Sequence, residues 1–99
     1  MEEDIRAFEA ILNESTQIIE ELERVLDQFE ANRSQYQKLK DFYGSEAYFK
    51  AVELLNQTDQ FSDIPCGVLS EDAVFNLIGD HYASSIRMLE LAMTYLKEH

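Results

Sequence analysis

The side chains best suited to metal binding and nucleophilic chemistry are scarce in this sequence. It contains two histidines, His81 and His99, and one cysteine, Cys66. Helical di-iron sites use Glu-x-x-His pairs that project into a bundle, and no such pair occurs here. His99 is terminal, and we expect His81, beside Asp80, to pack at the edge of a core. The sequence therefore predicts no metal site and no bound cofactor.

Cys66 is the strongest candidate for a nucleophile. It follows Pro65, and its nearest charged neighbours, Asp63 and Glu71, are acidic, so no base stands near it in sequence. A single cysteine can form neither a disulfide within the chain nor a cysteine-based metal site. We expect a structural or incidental thiol.

Carboxylates are abundant, but their spacing does not suggest catalysis. Glu20, Glu23, Asp27 and Glu30 recur every three or four residues and so share one helical face. An acid/base pair needs two different environments that separate the two pKa values, and a continuous polar face offers no such contrast. Phosphate-binding glycine loops and Gly-x-Ser-x-Gly turns are also absent. We predict that the protein is not an enzyme.

The overall charge argues against two classes of partner. Twenty acidic residues stand against eight basic ones, a formal net charge of −12, and residues 1–30 hold ten of the acids with only Arg6 and Arg24 as bases. Such a chain repels nucleic acid and anionic membrane surfaces. The acidic surface either keeps the protein soluble or steers a basic partner toward it.

The N-terminal sequence and the hydropathy favour a cytoplasmic protein. Residues 2–4 are all acidic, unlike the basic start of a signal peptide. No apolar run approaches the roughly 18–20 residues that span a bilayer. We therefore expect no membrane association.

A helical period dominates the first 43 residues, which contain neither glycine nor proline. The apolar stripe thins at Asn32 and Arg33 and then resumes, so residues 4–43 are predicted as one helix, and whether it is continuous or broken near 31–35 is left open. At 1.5 Å per residue it would be about 60 Å long. A helix of that length must be broken, or covered by other elements or other chains, which favours a homodimer or weak self-association. The stripe is formed by Ile5, Phe8, Leu12, Ser15, Ile19, Leu22, Leu26 and Phe29, flanked by Ile11, Ile18, Val25 and Leu39.

Local signals place the remaining elements. Gly44 suits the position after a helix end, and Ser45 suits the N-cap of a second helix at about 46–57. Residues 58–69 are predicted as a loop. Ser70 is predicted to cap a third helix at about 71–97, with Glu71 and Asp72 in its first turn. The fold predicted is all-α: a single domain, residues 1–99, with three antiparallel helices.

Aromatic residues concentrate where the first two predicted helices meet. Packing that fixes this corner is the favoured interpretation, because aromatic rings bury a large area. A binding pocket is the alternative. The residues are Tyr36, Phe42, Tyr43, Tyr48 and Phe49.

Two motifs carry a resemblance to a known family. They are Phe42-Tyr43-Gly44-Ser45-Glu46 and the ten residues from Cys66 to Phe75, Cys-Gly-Val-Leu-Ser-Glu-Asp-Ala-Val-Phe. Their order and separation resemble the bacterial family of small helical proteins labelled domain of unknown function 4298. The family pattern has a Trp in the second helix, where this chain has Tyr48 or Phe49. The resemblance implies a helical fold and a bacterial cytosolic setting, and it assigns no activity.

Three functions are compatible with these features. A non-enzymatic protein-interaction or regulatory module is favoured. The alternatives are a self-assembling coiled-coil-like structural protein, in which the long helix mainly forms a homodimer, and a small ligand-binding helical bundle. The partner protein is not identified by the sequence. The candidate interaction or structural motif comprises Tyr43, Gly44, Ser45, Gly67, Val68, Leu69, Ser70, Glu71 and Asp72.

Overall fold

The computed structural model describes residues 1–99 and contains helices and turns only. About 82% of the residues are helical and there is no strand, so the predicted all-α class is confirmed. No helix combines the length and the hydropathy that a membrane span requires. The elements are α1 (Glu2–Ala31), α2 (Arg33–Phe42), α3 (Glu46–Gln57), a short 3₁₀ helix (Gly67–Leu69) and α4 (Ala73–Glu98).

The long first helix predicted over residues 4–43 is two helices, α1 and α2, so the structure has four α-helices where three were predicted. Asn32 separates them, with φ −80° and ψ −7°. Its N–H donates to the carbonyl of Gln28 and its own carbonyl accepts from Tyr36. The interruption is therefore one residue wide. Asparagine is a poor helix former because its side chain competes for backbone hydrogen bonds.

The chain divides into two compact units, Met1–Tyr36 and Gln37–His99. The first contains α1 and the start of α2, and the second contains α3, the 3₁₀ helix and α4. A single domain and an antiparallel course of the long helices stay predictions.

The turn between α2 and α3 follows the predicted chemistry. Gly44 has φ +81°, a left-handed conformation that glycine adopts without steric cost. Ser45 is the N-cap of α3, and its Oγ accepts from the N–H of Tyr48 at 3.2 Å. The predicted bounds of α3, 46–57, are confirmed.

The core of the second unit is small. The 3₁₀ helix packs against both α3 and α4, and one residue from each of these three elements is buried. They are Tyr48 of α3, Leu69 of the 3₁₀ helix and Val74 of α4. The predicted loop 58–69 thus ends in a short helix that supplies one of the three core residues.

Helix α4 begins two residues later than predicted. Ser70 is the C-cap of the 3₁₀ helix, and Asp72 is the N-cap of α4. The prediction that Ser70 is the N-cap and that Glu71 and Asp72 lie in the first helical turn is therefore wrong. Ser70 instead ends the 3₁₀ helix, an element that the sequence did not predict.

Candidate functional site

The corner motif Tyr43–Ser45 has a structural role that the hydrogen bonds and rings define. The Ser45 hydroxyl donates to the carbonyl of Phe42 at 2.6 Å while accepting from Tyr48 N–H, so it ties the end of α2 to the start of α3. The Tyr48 ring makes edge-on contacts with Phe42, Tyr43 and Phe49 at centroid distances of 5.8, 5.3 and 5.3 Å. The aromatic cluster therefore packs around Tyr48, which supports the packing interpretation over the pocket.

Part of the second motif, Gly67–Asp72, also has a structural role. The Ser70 hydroxyl donates to the carbonyl of Gly67 at 2.8 Å and accepts from the N–H of Ala73 at 3.2 Å, which joins the 3₁₀ helix to α4. Leu69 is buried beneath it. Val68, Glu71 and Asp72 are exposed, and the Asp72 carboxylate makes no capping hydrogen bond.

The residues singled out for chemistry are dispersed. No group of three or more His, Cys, Asp and Glu side chains could hold a metal ion. Cys66 is half-buried, and its Sγ lies 3.4 Å from the carbonyl oxygen of Ile64 and 3.8 Å from that of Phe61. His81 is half-buried on the covered face of α4, together with Val74 and Ser85. The Ser85 hydroxyl donates to the carbonyl of His81 at 2.9 Å.

The largest unassigned feature of the first unit is the apolar face of α1, which we call the α1 stripe. None of the residues of α1 is buried. The exposed fraction of the large apolar side chains ranges from 40% at Phe29 to 67% at Phe8. At its C-terminal end the stripe meets an open depression next to Asn32. The stripe comprises Ile5, Phe8, Ile11, Leu12, Ile18, Ile19, Leu22, Val25 and Phe29.

Carboxylates line both borders of the α1 stripe. On a helix with 3.6 residues per turn, one border is formed by Glu9, Glu20, Glu23, Asp27 and Glu30, and the other by Glu3, Glu14 and Glu21. The only two bases of α1, Arg6 and Arg24, are 18 residues apart, which is five full turns, and both lie on the opposite side from the stripe. Arg24 pairs there with Glu21. Both borders of the stripe are therefore acidic, with the charge of Glu21 offset by Arg24.

Helix α4 carries a second exposed apolar surface, which we call the α4 row. Phe75, Tyr82, Leu89 and Leu96 recur every seven residues, and each is at least 60% exposed. The covered face of α4 lies beside this row and is formed by Val74, Ile78, His81 and Ser85. Between Phe75 and Leu96, the positions three and four residues along from members of the row are uncharged: Ile78, Gly79, Ser85, Ile86, Ala92 and Met93.

The comparisons with known proteins agree with the resemblance carried by the two motifs. A family model described as "Domain of unknown function (DUF4298)" matches residues 5–91, from the first turn of α1 to the second half of α4. No curated protein matches the chain significantly. The matched range contains the corner, the 3₁₀ helix and the start of α4, together with the whole α1 stripe. This chain therefore belongs to the DUF4298 family.

Proposed function

We propose that this protein is a non-enzymatic interaction or regulatory module, and that it binds another protein through the α1 stripe. The observation that carries the proposal is the exposure of nine large apolar side chains along one face of a 30-residue helix. Contiguous apolar surface of this kind marks a protein-interaction site, because water-exposed apolar area is costly. We further propose the bacterial cytosol as its setting, as the resemblance to the family implies.

The energetic scale supports a binding role for this face. Complete burial of a Val, Leu, Ile or Phe side chain stabilises by about 1.5–3 kcal/mol relative to full exposure. The nine side chains are 40–67% exposed, so each retains roughly half of that amount, about 1 kcal/mol, for a partner to recover. The sum is comparable to the free energy of micromolar binding, about 8 kcal/mol, before the cost of association is subtracted.

Two variants that add the same charge on opposite faces of α1 test the proposal. Ile19→Glu with Leu22→Glu introduces carboxylates into the stripe, and the control Asn13→Glu with Gln17→Glu introduces them on the opposite face. We expect the wild type and the control to copurify the same protein from bacterial cytosol, and the stripe variant to lose it. Identical copurification by all three proteins would contradict the proposal.

Self-assembly is the second candidate function, and the α4 row is the observation that favours it. The row repeats every seven residues with uncharged neighbours, so two copies could align this face without repulsion between like charges. This differs from the homodimer through the first helix that the sequence predicts, since the borders of α1 are acidic.

Solution mass tests this candidate directly. In sedimentation equilibrium the wild type should self-associate and Leu89→Glu should be monomeric. Ser84→Glu, on the opposite side of α4, serves as the control and should behave like the wild type. A monomeric wild type at every concentration up to the millimolar range would reject self-assembly.

A further inference from the structure

We infer that the partner of the α1 stripe is an amphipathic helix whose apolar face is flanked by Lys and Arg. The inference rests on the proposed function, because it assumes that the stripe binds a protein and then specifies the chemistry of that protein. It is carried by the juxtaposition of an exposed apolar face with carboxylates on both of its borders.

The charge distribution of α1 indicates the sign of the partner's charge. The helix has ten acidic residues against two basic ones, a formal charge of −8, and both bases lie away from the stripe. When two helices pack 8–10 Å apart, the residues that flank the apolar seam face each other across the interface. A partner with acidic flanks would meet like charge on both sides, whereas a basic partner would form ion pairs along both borders.

The length of the stripe sets the length of the partner. From Ile5 to Phe29 it spans 24 residue steps, about 36 Å of helix axis. On the longer acidic border, Glu20, Glu23, Asp27 and Glu30 recur every three or four residues. A matching helix of roughly 24 residues would carry Lys or Arg beside its apolar face at the same three- and four-residue spacing.

A second copy of the chain fits this surface poorly. Two α1 stripes placed face to face would bring two formal charges of −8 together, without a base on either border. The most basic element of the chain, α2, carries Arg33, Lys38 and Lys40 but has only ten residues, about 15 Å of helix. Its apolar side chains Leu39 and Phe42 are already half-buried. Helix α4 carries only two bases, Arg87 and Lys97, which are ten residues apart and cannot match the three- and four-residue spacing of the acidic border. The partner is therefore a different protein.

Designed peptides of known chemistry test the inference. Two 24-residue peptides would share one leucine face and differ only in its flanks, which are Lys in one and Glu in the other. A third peptide would keep the Lys composition in a scrambled order without an apolar face. Fluorescence anisotropy with the full chain should give at least about tenfold tighter binding for the amphipathic Lys peptide than for either control, with an affinity that falls as salt is raised.

Matched variants separate a specific border from a general attraction between opposite charges. The border variant Glu20→Gln, Glu23→Gln, Asp27→Asn and the control variant Asp63→Asn, Glu71→Gln, Glu98→Gln each remove three negative charges. The border variant should lose most of the preference for the Lys peptide, and the control variant should keep it. Circular dichroism checks that both remain helical.

The other outcomes of the peptide and variant experiments distinguish a failed inference from a failed function. Equal binding of the Lys and Glu peptides would overturn the inference and leave the interaction function in place. Equal losses in the border and control variants would also overturn it, because the attraction would then be non-specific. If no peptide binds, and Ile19→Glu with Leu22→Glu changes only the monomer–dimer equilibrium, the occupant is a second copy. If no peptide binds and that variant changes nothing, the proposed function fails as well.

Discussion

Two glycine-to-alanine substitutions should shift stability in opposite directions for reasons that the backbone alone supplies. A Cβ added at Gly44 or at Gly79 meets no atom within 4 Å, so neither substitution changes packing. Gly44 has φ +81°, whereas the φ of Gly79, inside α4, lies outside the left-handed region. The difference between the two variants therefore isolates backbone conformation.

The magnitudes follow from the two conformations. The left-handed conformation destabilises a residue with a Cβ by roughly 1–2 kcal/mol, so Gly44→Ala should lower the free energy of unfolding by about that amount. In a helix interior alanine is more favourable than glycine by about 0.5–1 kcal/mol, so Gly79→Ala should raise it by about that amount. The two variants should thus differ by about 2 kcal/mol.

Urea denaturation followed by far-UV circular dichroism measures both values against the wild type. All three proteins should be compared at one concentration, because self-association would couple stability to concentration. A Gly44→Ala variant as stable as the wild type would refute the left-handed corner between α2 and α3. A destabilised Gly79→Ala variant would show that this face of α4 is covered in solution.

The remaining predictions concern the second unit and the surface charge. Ser70→Ala should lower the free energy of unfolding by about 0.5–2 kcal/mol, because it removes the hydrogen bond from the Ala73 N–H. Divalent metal should leave the denaturation of the wild type unchanged. A metal-dependent rise in its free energy of unfolding would make Glu71 and Asp72 a binding site. Tyr48→Ala should cost about 3 kcal/mol in the same assay, since the buried ring contacts three others, and a near-normal curve would contradict that role. The chain should show no affinity for DNA or RNA at physiological salt, and micromolar binding by fluorescence anisotropy would overturn this expectation.

Local signals in the sequence were sufficient where one or two residues determine an element. Gly44 and Ser45 predicted the end of α2 and the start of α3, because a left-handed glycine and a capping hydroxyl act within one turn. Ser70 carried a similar signal, and its hydroxyl does accept from Ala73. The helix nevertheless begins later, since the 3₁₀ helix ends on Ser70 and leaves Glu71 in a turn.

The periodicity could not predict which apolar faces are covered. Phe75, Tyr82 and Leu89 share one exposed face of the last helix, and the residues that are buried or half-buried lie beside them. A period records which side chains point the same way, and it carries no information on what packs against them. The break at Asn32 falls in the segment 31–35 where the sequence left the continuity of the helix open, because the apolar pattern thins there and then resumes.

Photocrosslinking from within the α1 stripe tests the central claim most directly. Benzoylphenylalanine in place of Phe8 puts a photoreactive group in the stripe, and the same residue in place of Gln17, nine positions on, puts it on the opposite face. On irradiation of living cells, the stripe position should crosslink to one other protein that contains a basic amphipathic helix, and the control position should not. Equal crosslinking at both positions, or none from the stripe, would contradict the account.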